Sequence, residues 1–212
     1  MHGHKTLCEI LAHKYKYDSY RVIKEILQSL VKEKISIRNT IQIFETIADE
    51  EMISRNGPLN LYEKVRLSIA PDIVTPLIEN NYLKVLRLNQ KLSEYLLENG
   101  NEIINYYICE SELIESFFRE YNEKIEKLNT TPVVICVGSI RHIVKAFFNK
   151  NCHIKIVTVI SDTEVASTIE HFGNMILEII SDLGENTIIP EKKLTEEKPA
   201  PINYLLIFQY YL

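Results

Sequence analysis

The run Val133-Val134-Ile135-Cys136-Val137, opened by Thr130-Thr131-Pro132 and closed by Gly138, constrains the fold more than any other stretch of the chain. Five consecutive apolar residues leave no polar face, which is the pattern of a strand covered on both sides in a parallel sheet. Gly138 turns the chain, and Ser139 is placed to cap a helix whose Ile140, Ile143, Val144 and Phe147 share one face. His153–Ile160 (HIKIVTVI) follows as a second strand. Strand, helix and strand in this order predict a βαβ unit with parallel strands and a right-handed crossover.

Upstream the periodicity is helical. Asp18 and Ser19 are capping candidates for a helix with Ile23, Ile26, Leu27 and Leu30 at i, i+3, i+4 and i+7. After a break at Lys34–Ile35, Ser36 reads as the N-cap of a second helix through about Glu50. Its stripe is Ile37, Ile41, Phe44 and Ala48, widened by Ile43 and Ile47. Two such helices in close succession are expected to pack as an αα-hairpin. Arg55-Asn56-Gly57-Pro58 reads as a turn, and Asn60 as the cap of a third helix carrying Leu61, Val65 and Ile69. Pro71 and Pro76 should end or kink that helix, because neither can donate a helical N–H bond.

Tyr82–Leu88 (YLKVLRL) reads as a short strand, and Asn89 as the start of a helix with Leu92 and Leu96 inward, stopped at Asn99-Gly100. A long helix from Ser111 carries Ile114, Phe118, Tyr121, Ile125 and Leu128. The expected fold class is therefore α+β: a helical subdomain over residues 18–100, then a small α/β subdomain over 105–175 that contains the βαβ unit. Residues 176–212 are an unassigned tail. Asn174–Asp182, which leads into it, suits neither period, and Pro190–Pro201 within it is a charged, Pro-punctuated linker. The final INYLLIFQYYL is apolar enough to demand docking on the core or on a partner.

No chemistry-bearing constellation emerges. Lys plus Arg number 24 against 29 Asp plus Glu, and this acidic balance argues against a nucleic-acid footprint. No apolar run approaches the ~20 residues that span a bilayer, and no secretory signal is visible. Four cysteines without a CxxC pair fit a reduced cytoplasmic protein. His2, His4, Cys8 and His13 match no zinc spacing. Cys152 and His153 would point to opposite faces of a strand, and Cys136 reads as a small buried hydrophobe. The turn Val137-Gly138-Ser139 lacks both the GxxxxGK[ST] and the GxSxG pattern, although its free N–H groups could hold an anion. Ser36-Ile37-Arg38 and Ser139-Ile140-Arg141 read as coincident capping chemistry. No catalytic residue, no cofactor-binding residue and no metal ligand is assigned, and the expectation is a non-enzymatic protein.

Five collinear stretches carry a family resemblance. They are Ile23–Glu45 (IKEILQSLVKEKISIRNTIQIFE), Leu61–Ile69 (LYEKVRLSI), Leu83–Leu97 (LKVLRLNQKLSEYLL), Asn105–Leu113 (NYYICESEL) and Pro132–Glu164. Together they resemble the bacterial type III export-gate family of flagella and injectisomes, FHIPEP, over roughly residues 18 to 175. The resemblance implies the carboxyl-terminal cytoplasmic part of such a protein: the helical subdomain that builds a ring and the α/β subdomain after it. It also implies self-association into that ring, contact with export chaperone–substrate complexes and the export ATPase complex, and a cytoplasmic location at the inner membrane. Membrane contact would come only through an amino-terminal domain that these residues do not match. Arg38 in SIRN and Arg66 in EKVR hold the family's Arg positions and are the candidate ring-contact or intramolecular pairing residues, the alternative being plain helix-surface charges. Asn89-Gln90 stands where the family has Asp-Pro, and Gly138 where it has Ser. Two alternatives remain open at this point: a stand-alone truncated regulator or remnant of such a protein, and a small α/β nucleotide-binding domain built on the Gly138–Ser139 turn.

Overall fold

The computed structural model describes residues 21–49, 53–106, 111–126, 131–151, 157–173 and 175–189. Contacts divide the chain into two compact units, Met1–Pro76 together with Asn203–Leu212, and Leu77–Ile202.

The first unit is helical. Helix α1 occupies residues 21–32 and buries Val22, Ile26 and Leu30, with Ile23 and Leu27 half-buried beside them. It ends on a left-handed residue, Lys34 with φ 61°. The Lys34 N–H donates to the Val31 carbonyl and the Ile35 N–H to the Leu30 carbonyl, each at 2.9 Å. These are the two bonds of a Schellman stop, made here without the usual glycine. Helix α2 (Thr40–Asp49) buries Ile43, Ile47 and Ala48. It starts four residues after Ser36, whose hydroxyl accepts from the Arg38 N–H at 3.3 Å, ahead of the helix.

Helix α3 (Ile53–Ser68) runs without interruption through Arg55-Asn56-Gly57-Pro58, where a turn was expected. Gly and Pro disfavour a helix interior by about 1 and 3 kcal/mol. That local cost is outweighed by a following face on which Leu61, Tyr62, Val65 and Ile69 are all buried. The prolines further on act as expected. Pro71 enters the first turn of α4 (Ala70–Val74), and Pro76 lies in the 3-10 turn Thr75–Leu77.

The second unit is an α/β sheet of four parallel strands in the order β3-β2-β1-β4. Strand β1 (Tyr82–Leu88) is followed by α5 (Gln90–Tyr106) and α6 (Ser111–Ile125), then by β2 (Val133–Cys136). The 3-10 turn Gly138–Ile140 leads into α7 (Arg141–Asn151), then β3 (Thr158–Ser161), α8 (Asp162–Phe172) and β4 (Ile176–Leu183). The βαβ unit from β2 to β3 is present, with Val134 opposite Val159 in a parallel ladder. All four residues of β2 are buried.

The subdomain boundary differs from the expected one. β1 pairs with both β2 and β4, so residues 77–106 belong with the sheet and the division falls at Pro76/Leu77. Ile176–Leu183, expected as part of an unassigned tail, is the edge strand β4, with a bulge at Ile180. Helix α5 does not stop at Asn99-Gly100. A Cβ on Gly100 would lie 2.4 Å from Ile143 Cδ1, so this glycine lets α7 approach α5 and does not end the helix. Sequence periodicity also rotated α6 by about one residue. The buried positions are Leu113, Phe117, Tyr121 and Ile125, with Ile114 and Phe118 at the margin. Phe117 packs edge-on to Phe147 at 5.1 Å, and Phe118 stacks on the same ring at 5.4 Å. This aromatic cluster joins α6 and α7 over the sheet.

Candidate functional site

A concavity among the described residues lies at the carboxyl ends of β1 and β2, the usual place for a binding crevice in a parallel sheet. It measures about 830 Å³. Its apolar lining includes Ile135, Leu177 and Ile179, with Leu97 and Val137 at the margin, 58% and 51% exposed. Arg87, Gln90, Glu94, Asp162 and Asp182 supply the polar part.

Each polar group is held by a local bond. Arg87 on β1 donates to both carboxylate oxygens of Asp182 on β4, at 2.5 and 2.8 Å. That pairing holds the Asp182 carboxyl below its usual range, and the same bonds raise the Arg87 guanidinium above its own. Asn89 caps α5 by accepting from the Lys91 N–H at 2.9 Å, as the sequence anticipates. Gln90 donates to Glu94 at 2.9 Å.

The end of β4, which carries Asp182, is fixed from behind by Glu120 of α6. Its carboxylate is nearly enclosed and accepts from the N–H groups of Gly184, Glu185 and Asn186 at 3.0, 3.2 and 2.9 Å, and from Lys124 Nζ at 2.7 Å. Burial pushes this carboxyl up, but the Lys124 bond and the Asn186 and Gly184 amides outweigh it, so the net shift is downward. Lys124 Nζ also donates to the Asp182 carbonyl.

The Gly138 turn does not offer an anion site. Its N–H already donates to Asp162 Oδ1 at 2.9 Å, and the Thr163 N–H donates to the same oxygen at 2.8 Å. A phosphate would have to displace a carboxylate of this chain and then face Asp162 and Glu94. Ser139, expected as a helix cap, is exposed in the 3-10 turn, and the residue preceding that turn is Val137. The true capping box is Ser161-Asp162-Thr163-Glu164 at the start of α8. Ser161 Oγ accepts from the Glu164 N–H at 3.1 Å, and Glu164 Oε2 from the Ser161 N–H at 2.7 Å. That S-x-x-E signature was readable in the sequence and marks a helix the periodicity reading missed.

The two arginines singled out in the sequence lie in the helical unit and in different environments. Arg38 is exposed in the connection between α1 and α2. Arg66 is 1% exposed. It donates to Glu33 Oε2 at 2.9 Å while the Tyr62 hydroxyl donates to Glu33 Oε1 at 2.8 Å, tying α3 to the end of α1. A side chain so enclosed has no surface to offer a second copy. Glu33, the partner that explains Arg66, sits 33 residues away and carries no sequence signal of its own. Cys136 is buried, its Sγ 3.8 Å from the Ile160 carbonyl. Among the described residues no group of three or more His, Cys, Asp or Glu side chains is placed to hold a metal. The amino-terminal His2, His4, Cys8 and His13 and the pair Cys152-His153 lie outside the described residues.

The FHIPEP family model matches residues 4–170. The chain belongs to the FHIPEP family. It is 29% identical over 154 residues to the flagellar biosynthesis protein FlhA of Bacillus subtilis, covering 70% of this chain and 22% of that protein. With the FlhA of Borreliella burgdorferi it shares 31% identity over 155 residues, again 70% of this chain and 22% of the other. Solved structures share the fold. The Shigella flexneri MxiA protein superposes with a TM-score of 0.69 at 20% identity, covering 86% of this chain and 56% of that one. The nonameric SctV-C of EPEC gives 0.69 at 22% identity, covering 86% and 53%. This FHIPEP chain thus spans about a fifth of the curated relatives and about half of the solved chains. No helix among its described residues is long and apolar enough to cross a membrane.

Proposed function

We propose that this FHIPEP chain is a non-enzymatic part of a bacterial type III export gate, working at the cytoplasmic face of the inner membrane through protein–protein contacts. Its helical unit would pack side by side with copies of itself in a ring. Its α/β unit would present the β1/β2 crevice to export chaperone–substrate complexes or to the export ATPase complex. The observation that carries this reading is the family match over residues 4–170, joined to a fold shared with a nonameric relative. The crevice adds a surface of the right character, apolar in its walls and fixed in shape by Glu120 and the Arg87–Asp182 pair. Arg38, exposed ahead of α2, is the proposed ring contact. Arg66 is withdrawn from that role by its burial against Glu33.

Sedimentation velocity over a concentration series tests the ring. The expected result is reversible association that rises with concentration and weakens in Arg38→Ala, whose circular dichroism stays native. A chain that remains monomeric up to millimolar concentration, the effective level that tethering would impose, would refute self-association. The nucleotide-binding alternative loses its support, because the Gly138 amide is already satisfied by Asp162.

A further inference from the structure

Strand β4 is an edge of the sheet, and among the described residues no strand pairs with its outer side. The Ile176 N–H donates inward, to the Asn81 carbonyl at the start of β1, at 2.8 Å. Successive residues of a strand direct their N–H and C=O groups to alternate sides. Glu178 therefore also bonds towards β1, and Leu177 and Ile179 turn their main-chain groups to the open side. These two are the apolar residues that β4 contributes to the crevice lining. The bulge at Ile180 comes after them, so the ladder up to Ile179 is regular. Natural edges are blunted by Lys, Pro or cover. ILEIISDL holds no Lys, Arg or Pro, and it leaves Ile176, Ile179 and Ile180 39–50% exposed.

We propose that the β4 edge takes an added strand from another protein: an extended segment of alternating apolar residues that carries Lys or Arg, with its side chains entering the crevice. The inference names the partner of that crevice and so rests on reading it as a docking surface. Leu177 and Ile179 would bond the segment's main chain, and the crevice beside them would select its side chains. Charge favours a basic segment. Of the charged groups in the lining, Arg87 is engaged by Asp182, which leaves the exposed Glu94 and Asp162 without a cation there. On the sheet itself Lys84 stands opposite Glu178 in register, so the acidic bias belongs to the crevice. A second copy is the poorer occupant, because β4 against β4 brings Glu178 and Asp182 together with no cation on either strand.

The test titrates three probes into the full chain: the blocked peptide KVTVKVTVK, its acidic counterpart EVTVEVTVE, and the first peptide N-methylated at its central residues. Binding is followed by fluorescence anisotropy and by residue-resolved amide hydrogen exchange. The basic peptide is expected to bind and to slow the Leu177 and Ile179 amides about tenfold, while the Glu178 amide, already turned to β1, stays as it was. The acidic peptide should bind about tenfold more weakly, and Glu94→Lys should reverse that preference. N-methylation should abolish both binding and protection. Undiminished binding of the N-methylated form would overturn strand addition and leave the docking role of the crevice standing. Binding of none of the three would overturn both. Equal affinity for the basic and acidic peptides would overturn the stated chemistry of the partner. Leu177 and Ile179 amides that exchange slowly before any peptide is added would also overturn the proposal. Slow exchange at every protein concentration would mark cover by this chain, and slow exchange only at high concentration would mark pairing of two copies.

Discussion

Glu120→Gln isolates the one buried carboxylate that shapes the crevice from behind. The carboxylate accepts four bonds: Oε1 takes Gly184 N–H, Glu185 N–H and Lys124 Nζ, and Oε2 takes Asn186 N–H. Glutamine keeps one acceptor oxygen and sets an amide NH2 where Oε2 stood, so the Asn186 N–H faces a donor. It also removes the charge that pairs with Lys124. Bonds to a charged acceptor are worth about 1.5–3 kcal/mol each, and a stranded donor costs a similar amount. The lost Asn186 bond dominates, and with the partly exposed Lys124 pair adding only a few tenths the destabilisation is about 2–3 kcal/mol at neutral pH.

With a urea m-value of about 2 kcal/mol/M for a domain of this size, the unfolding midpoint should fall by about 1–1.5 M. The pH dependence has a definite sign. Because the native carboxyl is held below its ordinary value, its contribution is complete above the unfolded carboxylate pKa of about 4.3. That contribution is lost as pH falls through the lower native value. Urea melts followed by circular dichroism at pH 7 and at pH 3 should show a wide gap between wild type and variant at the first and a narrow one at the second. A variant within about 0.5 kcal/mol of wild type at pH 7, or a gap unchanged at pH 3, would refute the assignment; that threshold is the usual scatter of a surface substitution.

Three further substitutions probe the helical unit and the α5–α7 crossing. Lys34→Gly should stabilise the chain by about 1 kcal/mol in the same urea assay, since Lys34 holds φ 61° at the end of α1 and a glycine relieves that strain. A loss of stability would mean that the Lys34 side chain contributes more than its backbone costs. Arg66→Met should cost about 3–5 kcal/mol by leaving the Glu33 carboxylate without its guanidinium, and the double change Arg66→Met with Glu33→Gln should recover most of it. Additive losses would contradict the pairing. Gly100→Ala should destabilise by about 1–3 kcal/mol despite alanine's higher helix propensity, because the added methyl meets Ile143 Cδ1 at 2.4 Å. Ile143→Val should relieve the penalty, and a stabilised Gly100→Ala would remove the reason given for that glycine.

Elements whose signal is local were legible from the residues. The apolar run of β2 can only be a strand covered on both faces, and the face of Ile140, Ile143, Val144 and Phe147 on the following helix is buried as read. Pro71 falls in the first turn of α4, just past the end of α3, and Pro76 in the 3-10 turn after α4, because a missing N–H acts whatever the surroundings. The collinear motifs from Ile23 to Glu164 placed the chain in its family, and the match over residues 4–170 agrees. Of the crevice, only the Asn89 cap and the Gly138 turn could be anticipated, since each depends on neighbours within a few residues.

What the sequence by itself determined is the succession of most elements and their apolar faces, because periodicity and punctuation act over one or two turns. Only the tertiary structure decided that α3 passes through Gly57-Pro58 and α5 through Gly100. There, burial of later turns and the approach of Ile143 outweigh a local propensity of a few kcal/mol. Strand order and the position of β4 beside β1 likewise depend on pairings almost a hundred residues apart, as in Arg87 with Asp182. The fate of Arg66 and Glu120 follows the same rule. A charged residue on a helix looks like surface until the fold brings Glu33, or the amides of Gly184–Asn186, close enough to satisfy it away from water.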